Sequence, residues 1–97
     1  MPTVDDWKRR IRDAFVEAGF RVEGTGVDGI YHTRLVFAVS YLRVRLAVTA
    51  VMRDGFFVCD VMRLNESYTL PRECKSIPMT EAGVIDVVSF ALAFLII

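Results

Sequence analysis

Arg43-Val-Arg-Leu-Ala-Val-Thr-Ala-Val-Met-Arg53 and Phe56-Phe-Val-Cys-Asp-Val-Met-Arg-Leu64 are two alternating apolar runs joined by Asp54-Gly55. Asp-Gly between such runs predicts a β-hairpin, because a two-residue type I′ turn needs positive φ at both central positions. The turn fixes the register: Met52 opposite Phe57, Ala50 opposite Cys59 and Val48 opposite Val61, all on one apolar face. Arg43, Arg45 and Arg53 then fall on the opposite face with Phe56, Val58, Asp60, Met62 and Leu64.

Working toward the N-terminus, Ser40 to Arg43 is where the apolar phase reverses, from Leu35, Phe37 and Val39 to Leu42, Val44 and Leu46. A reversal pairing Val39 with Val44, Phe37 with Leu46 and Leu35 with Val48 preserves the apolar face. One long strand with a bulge near Tyr41 is the alternative, and the reversal is favoured. A second Asp-Gly, Asp28-Gly29, predicts another tight turn. Its register sets Val27 opposite Ile30, Val22 opposite Leu35, Phe20 opposite Phe37 and Glu23 opposite Arg34.

Val4, Trp7, Ile11, Phe15 and Ala18 recur at helical spacing, with Lys8, Arg9, Arg12, Asp13 and Glu17 on the other side. Thr3 and Asp6 match a capping box and Gly19 suits the position after the last turn, so a helix is expected to about Ala18. Beyond Leu64, Tyr68 to Leu70 is a candidate short fifth strand and Pro71 to Pro78 reads as an irregular connection. Thr80 is the candidate N-cap of a last helix reaching about Leu95. That helix is apolar almost all round, broken by a mild stripe of Ala82, Asp86, Ser89 and Ala93. It is expected to lie across the sheet beside the first helix, with Phe94 to Ile97 reaching a second copy in a homo-oligomer.

The expected architecture is therefore α+β, a two-layer sandwich of N-terminal helix, four-stranded antiparallel meander and C-terminal apolar helix. Ninety-seven residues fit a single domain over 1–97. Twelve basic and twelve acidic residues cancel, which excludes the strongly basic footprint of non-specific nucleic-acid binding. Residues 1–53 nevertheless carry nine cations against six anions, and 54–97 three against six, so a local basic patch is allowed. No leader is expected at the N-terminus, and the apolar run Phe90 to Ile97 is far short of the roughly 18 residues that span a bilayer. Two cysteines without CxxC spacing favour a reducing, cytoplasmic setting.

Gly24-Thr-Gly26-Val-Asp-Gly29 matches GxGxxG, but a strand is expected after it where a dinucleotide site needs a helix, so the glycines read as a hairpin tip. His32 is the only histidine and is expected to point outward opposite Val51, without a nucleophile beside it. Cys59 reads as a small buried hydrophobe, and Cys74 as a loop thiol made reactive by Arg72 and Lys75. No catalytic, metal-binding or cofactor-binding set emerges, and a non-enzymatic protein is expected.

The outward sheet face is the candidate site. Arg34, Arg43, Arg45, Arg53, Phe56, Val58 and Met62 are its candidate partner-binding residues, with Arg21, Val36, Ala47 and Val51 between them. Arginine among exposed apolar side chains is the composition of interaction surfaces. Lys8, Arg9, Arg10 and Arg12 form a second basic group on the first helix.

The order helix, antiparallel strands, helix resembles that of double-stranded RNA-binding domains. The last helix here begins Thr80-Glu-Ala-Gly, without the basic start such domains use on phosphates. The layout is also similar to secretion-chaperone-type folds, whose small α+β dimers bind protein segments. The leading expectation is a protein-interaction module: an adaptor, a chaperone-like protein or an inhibitor of a larger complex. By analogy of size and simplicity, inhibitors encoded by phages or mobile elements are of this kind. Its expected partner is a protein, of acidic character if the arginines carry the contact. The alternative is a nucleic-acid-binding domain using the arginine face and the basic first helix.

Overall fold

The computed structural model describes residues 2–64 and 73–95. A helix α1 (Val4–Glu17) leads into five strands, β1 (Arg21–Asp28), β2 (Arg34–Tyr41), β3 (Val44–Arg53), β4 (Phe56–Arg63) and β5 (Glu73–Pro78), followed by helix α2 (Glu81–Ala93). The strands pair antiparallel in sequence order, an uninterrupted five-stranded meander.

The β3–β4 hairpin has the predicted register, with Met52, Ala50 and Val48 opposite Phe57, Cys59 and Val61. Asp54 and Gly55 take φ of 52° and 81°, the positive values that the type I′ turn requires. The β2–β3 reversal is a turn and not a bulge, but a tighter one than expected. Tyr41 pairs with Val44, Val39 with Leu46 and Phe37 with Val48, leaving Leu42-Arg43 as a two-residue tip. Leu42 adopts φ 54° to make this possible. The left-handed conformation costs a leucine about 1–2 kcal/mol, which is offset by two further strand pairs, Ser40 with Arg45 and Tyr41 with Val44. The shift is even, so every side chain keeps its face.

The β1–β2 register predicted from Asp28-Gly29 is corrected. Val27 pairs with Leu35 and Val22 with Val39, with an irregularity between Val22 and Gly24, and a loop at 29–33 replaces the tight turn. Helix α1 ends with Gly19 at φ 97° and a buried Phe20, so the strand starts at Arg21. A tight turn at Asp28 would then leave the far end of β2 without a partner; the longer loop lets Arg34 through Ser40 all pair. His32 consequently lies in the loop at φ 52°, exposed, and Arg34 takes the place opposite Val51.

Residues 73–78, expected as irregular, form β5 along β4. Pro78 is tolerated because it ends an edge strand, where the missing N–H disrupts no inner ladder. The strand proposed at 68–70 lies outside the described residues.

Alternation along each strand builds the core. Leu35, Phe37, Val39, Leu46, Val48, Ala50, Phe57, Cys59, Val61 and Ile77 face one side and are buried there. Onto that side α1 brings Trp7, Ile11 and Phe15, and α2 brings Val84, Val87, Val88, Ala91 and its C-cap Phe94. Helix α1 packs over β1 and β2, and α2 over β4 and β5. Edge-to-face contacts lock the layers: Trp7 on Phe57 at 5.4 Å and Phe15 on Phe20 at 5.1 Å. Phe94 belongs to this core, 5% exposed and 5.4 Å from Phe90, which corrects the expectation that it reaches a second chain. Residues 96 and 97 lie outside the described residues.

Both helix starts follow the sequence. Thr3 Oγ1 accepts from the Asp6 N–H at 3.1 Å while the Asp6 carboxylate accepts from the Thr3 N–H at 2.9 Å. Thr80 Oγ1 accepts from the Gly83 N–H at 2.9 Å. No helix of the described residues is long and apolar enough to cross a membrane.

Candidate interaction surface

Because both helices lie on one face of the sheet, the other face is left without a helical layer among the described residues. The strand pairing arranges it in rows. Asp28, Arg34, Val51, Val58 and Ser76 form one row across the sheet, and Gly26, Val36, Thr49, Asp60 and Cys74 the next. Gly24, Ala38, Ala47 and Met62 follow, then Arg21, Ser40 and Arg45. At the opposite end Arg53, Phe56 and Pro78 close the face. Val36, Ala38, Ala47, Val51, Val58 and Met62 are all half-buried, the state of side chains standing on an open sheet.

Charged pairs stand toward the two ends of this face, while Asp60, half-buried, stands in its second row beside Thr49. Arg34 forks onto Asp28, with Nη2 to Oδ2 at 3.0 Å and a second bond from Nε to Oδ1. That hydrogen bond, more than the bare charge, holds the Asp28 carboxyl below its ordinary 3.8 and raises the Arg34 guanidinium. Arg45 Nη2 reaches Glu23, in the irregular stretch of β1, at 3.0 Å. The predicted Glu23 to Arg34 pair is thus replaced by two others, a consequence of the changed β1 register. Six residues of strand separate the Arg34 and Ser40 rows, about 20 Å at ~3.4 Å per residue, and five strands span about 19 Å. The face therefore measures about 20 by 19 Å, with apolar side chains interspersed among polar and charged ones.

The seven candidate residues do not form one cluster. Arg34, Arg53, Phe56 and Val58 come together at the end near the Asp54-Gly55 turn, and Met62 sits mid-face. Arg45 lies at the far end, and Arg43 occupies the Leu42-Arg43 turn beyond it. One residue missed in the sequence joins the first group: Tyr31, expected like Ile30 within a strand, stands with it in the β1–β2 loop, the two 82% and 90% exposed. Tyr31 lines a cleft of about 560 Å³ with Thr33, Val51, Met52, Arg53 and Asp54. Arg53, Phe56, Val58 and Ser76 line a neighbouring one of about 390 Å³. Apolar residues immediately after Asp28-Gly29 were the available signal, read as strand because Asp-Gly so strongly suggests a tight turn.

The remaining chemical candidates separate. Gly24 and Gly26 are strand residues, and a Cβ on either would meet nothing within 4 Å, so neither supports a close backbone approach. Cys59 is buried on the helix side opposite Lys75, and its thiol is pushed up to about 12, chiefly by burial. Cys74 lies on β5 opposite Asp60, in a strand and not a loop, on the open face. The two thiols therefore project from opposite faces, and both are free. Among the described residues there is no group of three or more His, Cys, Asp or Glu side chains that could hold a metal ion.

On α1, each cation has a carboxylate beside it: Lys8 with Asp5 at 3.5 Å, Arg9 with Asp6 at 3.1 Å, Arg12 with Asp13 at 3.0 Å, and Arg10 with Glu81 of α2 at 3.9 Å. Comparison with known protein families, characterised proteins and solved structures gives no match, so the surface is interpreted from its own geometry.

Proposed function

We propose that the chain is a non-enzymatic protein-interaction module that binds a partner on the open sheet face, centred on Tyr31, Arg53, Phe56 and Val58. One observation carries this reading: a five-stranded sheet with both helices on one side and, among the described residues, a helix-free face of mixed apolar and polar side chains on the other. At its best-furnished end stand a tyrosine, a phenylalanine and an arginine, the residue types that dominate binding energy when buried at interfaces. An adaptor, a chaperone-like role or inhibition of a larger complex would each use such a face, in the cytoplasm.

Local neutralisation favours protein over nucleic acid. Phosphate binding needs cations whose counterions are small ions to be released. Here Arg34 and Arg45 are bonded to carboxylates of the same sheet, and the α1 cations to carboxylates beside them.

The test is capture from the native source followed by affinity measurement with the purified partner. Phe56→Ala and Tyr31→Ala should each weaken binding at least 30-fold, corresponding to about 2 kcal/mol for an interface hot spot, with an unchanged circular dichroism spectrum. Full affinity in both variants would remove the site from this face. Binding that falls steeply with salt and is competed by random-sequence DNA or RNA would establish the nucleic-acid alternative instead.

A further inference from the structure

Strand β1 ends the sheet, and among the described residues it has β2 beside it and α1 over its inner face, with no strand on its other side. Which backbone groups face that open edge follows from the two-residue Leu42-Arg43 turn. Tyr41 and Val44 flank the turn as a hydrogen-bonded pair, so Leu35, Phe37 and Val39 direct N–H and C=O toward β3, and Arg34, Val36, Ala38 and Ser40 toward β1. Thr33, in phase with Leu35, accepts from the Met52 N–H at 2.8 Å on the β3 side, as this alternation requires. On β1, then, Arg21, Gly24, Gly26 and Asp28 bond β2, and the N–H and C=O of Val22, Thr25 and Val27 point outward.

The two edges of the sheet differ in protection. Strand β5 ends in Pro78 and turns Lys75 inward, opposite Cys59, two devices that discourage strand addition. Strand β1 has neither proline nor lysine, and its centre is Gly24-Thr25-Gly26, with Thr25 exposed.

The sequence of β1 is self-complementary about Thr25. Two antiparallel copies related by a two-fold axis there set Thr25 opposite Thr25, Gly24 opposite Gly26, Val22 opposite Val27 and Arg21 opposite Asp28, with Glu23 the bulged residue of each strand. Each pair shares a face. Val22, Thr25 and Val27 stand on the inner side with their β2 neighbours Val39, Phe37 and Leu35, and Arg21, Gly24, Gly26 and Asp28 on the outer. The outward N–H and C=O groups of Val22, Thr25 and Val27 therefore meet one another. Asp28 is already bonded to Arg34, so the ends merely avoid opposing like charges, and the backbone groups carry the contact.

We infer that the chain dimerises edge to edge, β1 of one copy pairing with β1 of a second and joining two five-stranded sheets into one. Open backbone groups call for a strand, and a second copy is the occupant because β1 itself completes this register. The same surface is used on both chains, so the assembly closes at two. It does not depend on the partner proposed for the open sheet face.

Sedimentation velocity over a concentration series tests it. The wild type should pass from one chain to two and stop there, with little change at high salt. Thr25→Pro removes an N–H that faces the open edge, which a strand tolerates; with an unchanged circular dichroism spectrum it should dimerise at least tenfold more weakly. Thr25→Cys in a Cys74→Ser background is an independent test. The axis sets the two Cα atoms about 5.5 Å apart, within the ~4.4–6.8 Å range of a disulfide, so mild oxidation should give a covalent dimer. Gly26→Cys in the same background, opposite Gly24 of the other copy, should not. A wild type monomeric throughout, assembly beyond two chains, a folded Thr25→Pro that dimerises like wild type, or cross-linking no better at 25 than at 26 would each overturn the inference.

Discussion

Gly83→Ala tests how closely α2 docks on the sheet. Gly83 lies in the first turn of α2, buried, with its N–H on Thr80 Oγ1 at 2.9 Å. A Cβ there would stand 1.7 Å from the Pro78 carbonyl oxygen and 3.3 Å from Ile77 Cγ2. The first contact is with backbone, so no rotamer change relieves it, and reaching even 3.0 Å requires a retreat of about 1.3 Å. Alanine is the better helix former by about 1 kcal/mol. Against that, overpacking of a fitted core costs about 1–3 kcal/mol and occasionally more, and retreat of this turn also loosens Ile77 and Val84 and strains the Thr80 cap. The net expectation is a loss of about 2–3 kcal/mol. For a domain of this size that lowers Tm by roughly 10–20 °C, at ~4–8 °C per kcal/mol. Thermal unfolding followed by circular dichroism measures it. Gly26→Ala is the control: space is open around its Cβ and its φ is not positive, so its Tm should stay within a few degrees of wild type. A Gly83→Ala protein as stable as wild type would refute the close docking of α2.

Leu42→Gly should raise stability by about 1 kcal/mol, because glycine accepts the left-handed conformation; chemical denaturation measures the change, and a variant less stable than wild type would contradict the strained turn. Thiol labelling of the native protein should modify Cys74 quickly and leave Cys59, buried and pushed up to about 12, untouched until global unfolding. The Asp6 and Asp28 carboxyls are held below 3.8 by hydrogen bonds, from the Thr3 backbone and hydroxyl and from Arg34. A depressed folded-state value gives stability that is present above the unfolded value and lost on acidification through the folded one. Tm should therefore be insensitive to these groups from pH 5 to 8 and fall below about pH 4, with a shallower fall in the Asp6→Asn, Asp28→Asn double variant. Thr3→Ala should cost about 1 kcal/mol through the lost cap.

Much of the fold was legible because its strongest signals are local. Asp54-Gly55 fixed the register of β3 on β4, Thr3 and Asp6 marked the start of α1, and Thr80 the start of α2. The inner row from Leu35 to Val61 followed from alternation alone. Register failed where a turn lacked its usual residues or carried them without using them. Leu42-Arg43 makes a two-residue turn without glycine or asparagine, because further strand pairing outweighs the strain of one residue. Asp28-Gly29 carries the hairpin signal but opens a longer loop, since β2 has more pairing to satisfy than a tight turn permits. Strand β5 was hidden by the prolines at the two ends of the stretch 71–78, of which Pro78 ends the strand at an edge position that tolerates it.

The site was legible by face and not by position. Period-two alternation placed all the β3 and β4 candidates on the outer side correctly. Their separation into two ends about 20 Å apart, and the assignment of Glu23 to Arg45 and Asp28 to Arg34, depended on the β1 register, which no local pattern specifies. Tyr31 and Ile30 were absent from the candidate set for the same reason.

Hydroxyl-radical footprinting of the chain with and without its captured partner addresses the open sheet face most directly. Docking there predicts that oxidation of Tyr31, Phe56 and Met62 falls at least severalfold in the complex while Trp7, buried on the helix side, is unchanged. Full reactivity of Tyr31, Phe56 and Met62 in the complex, with protection confined to the helical layer, would contradict it.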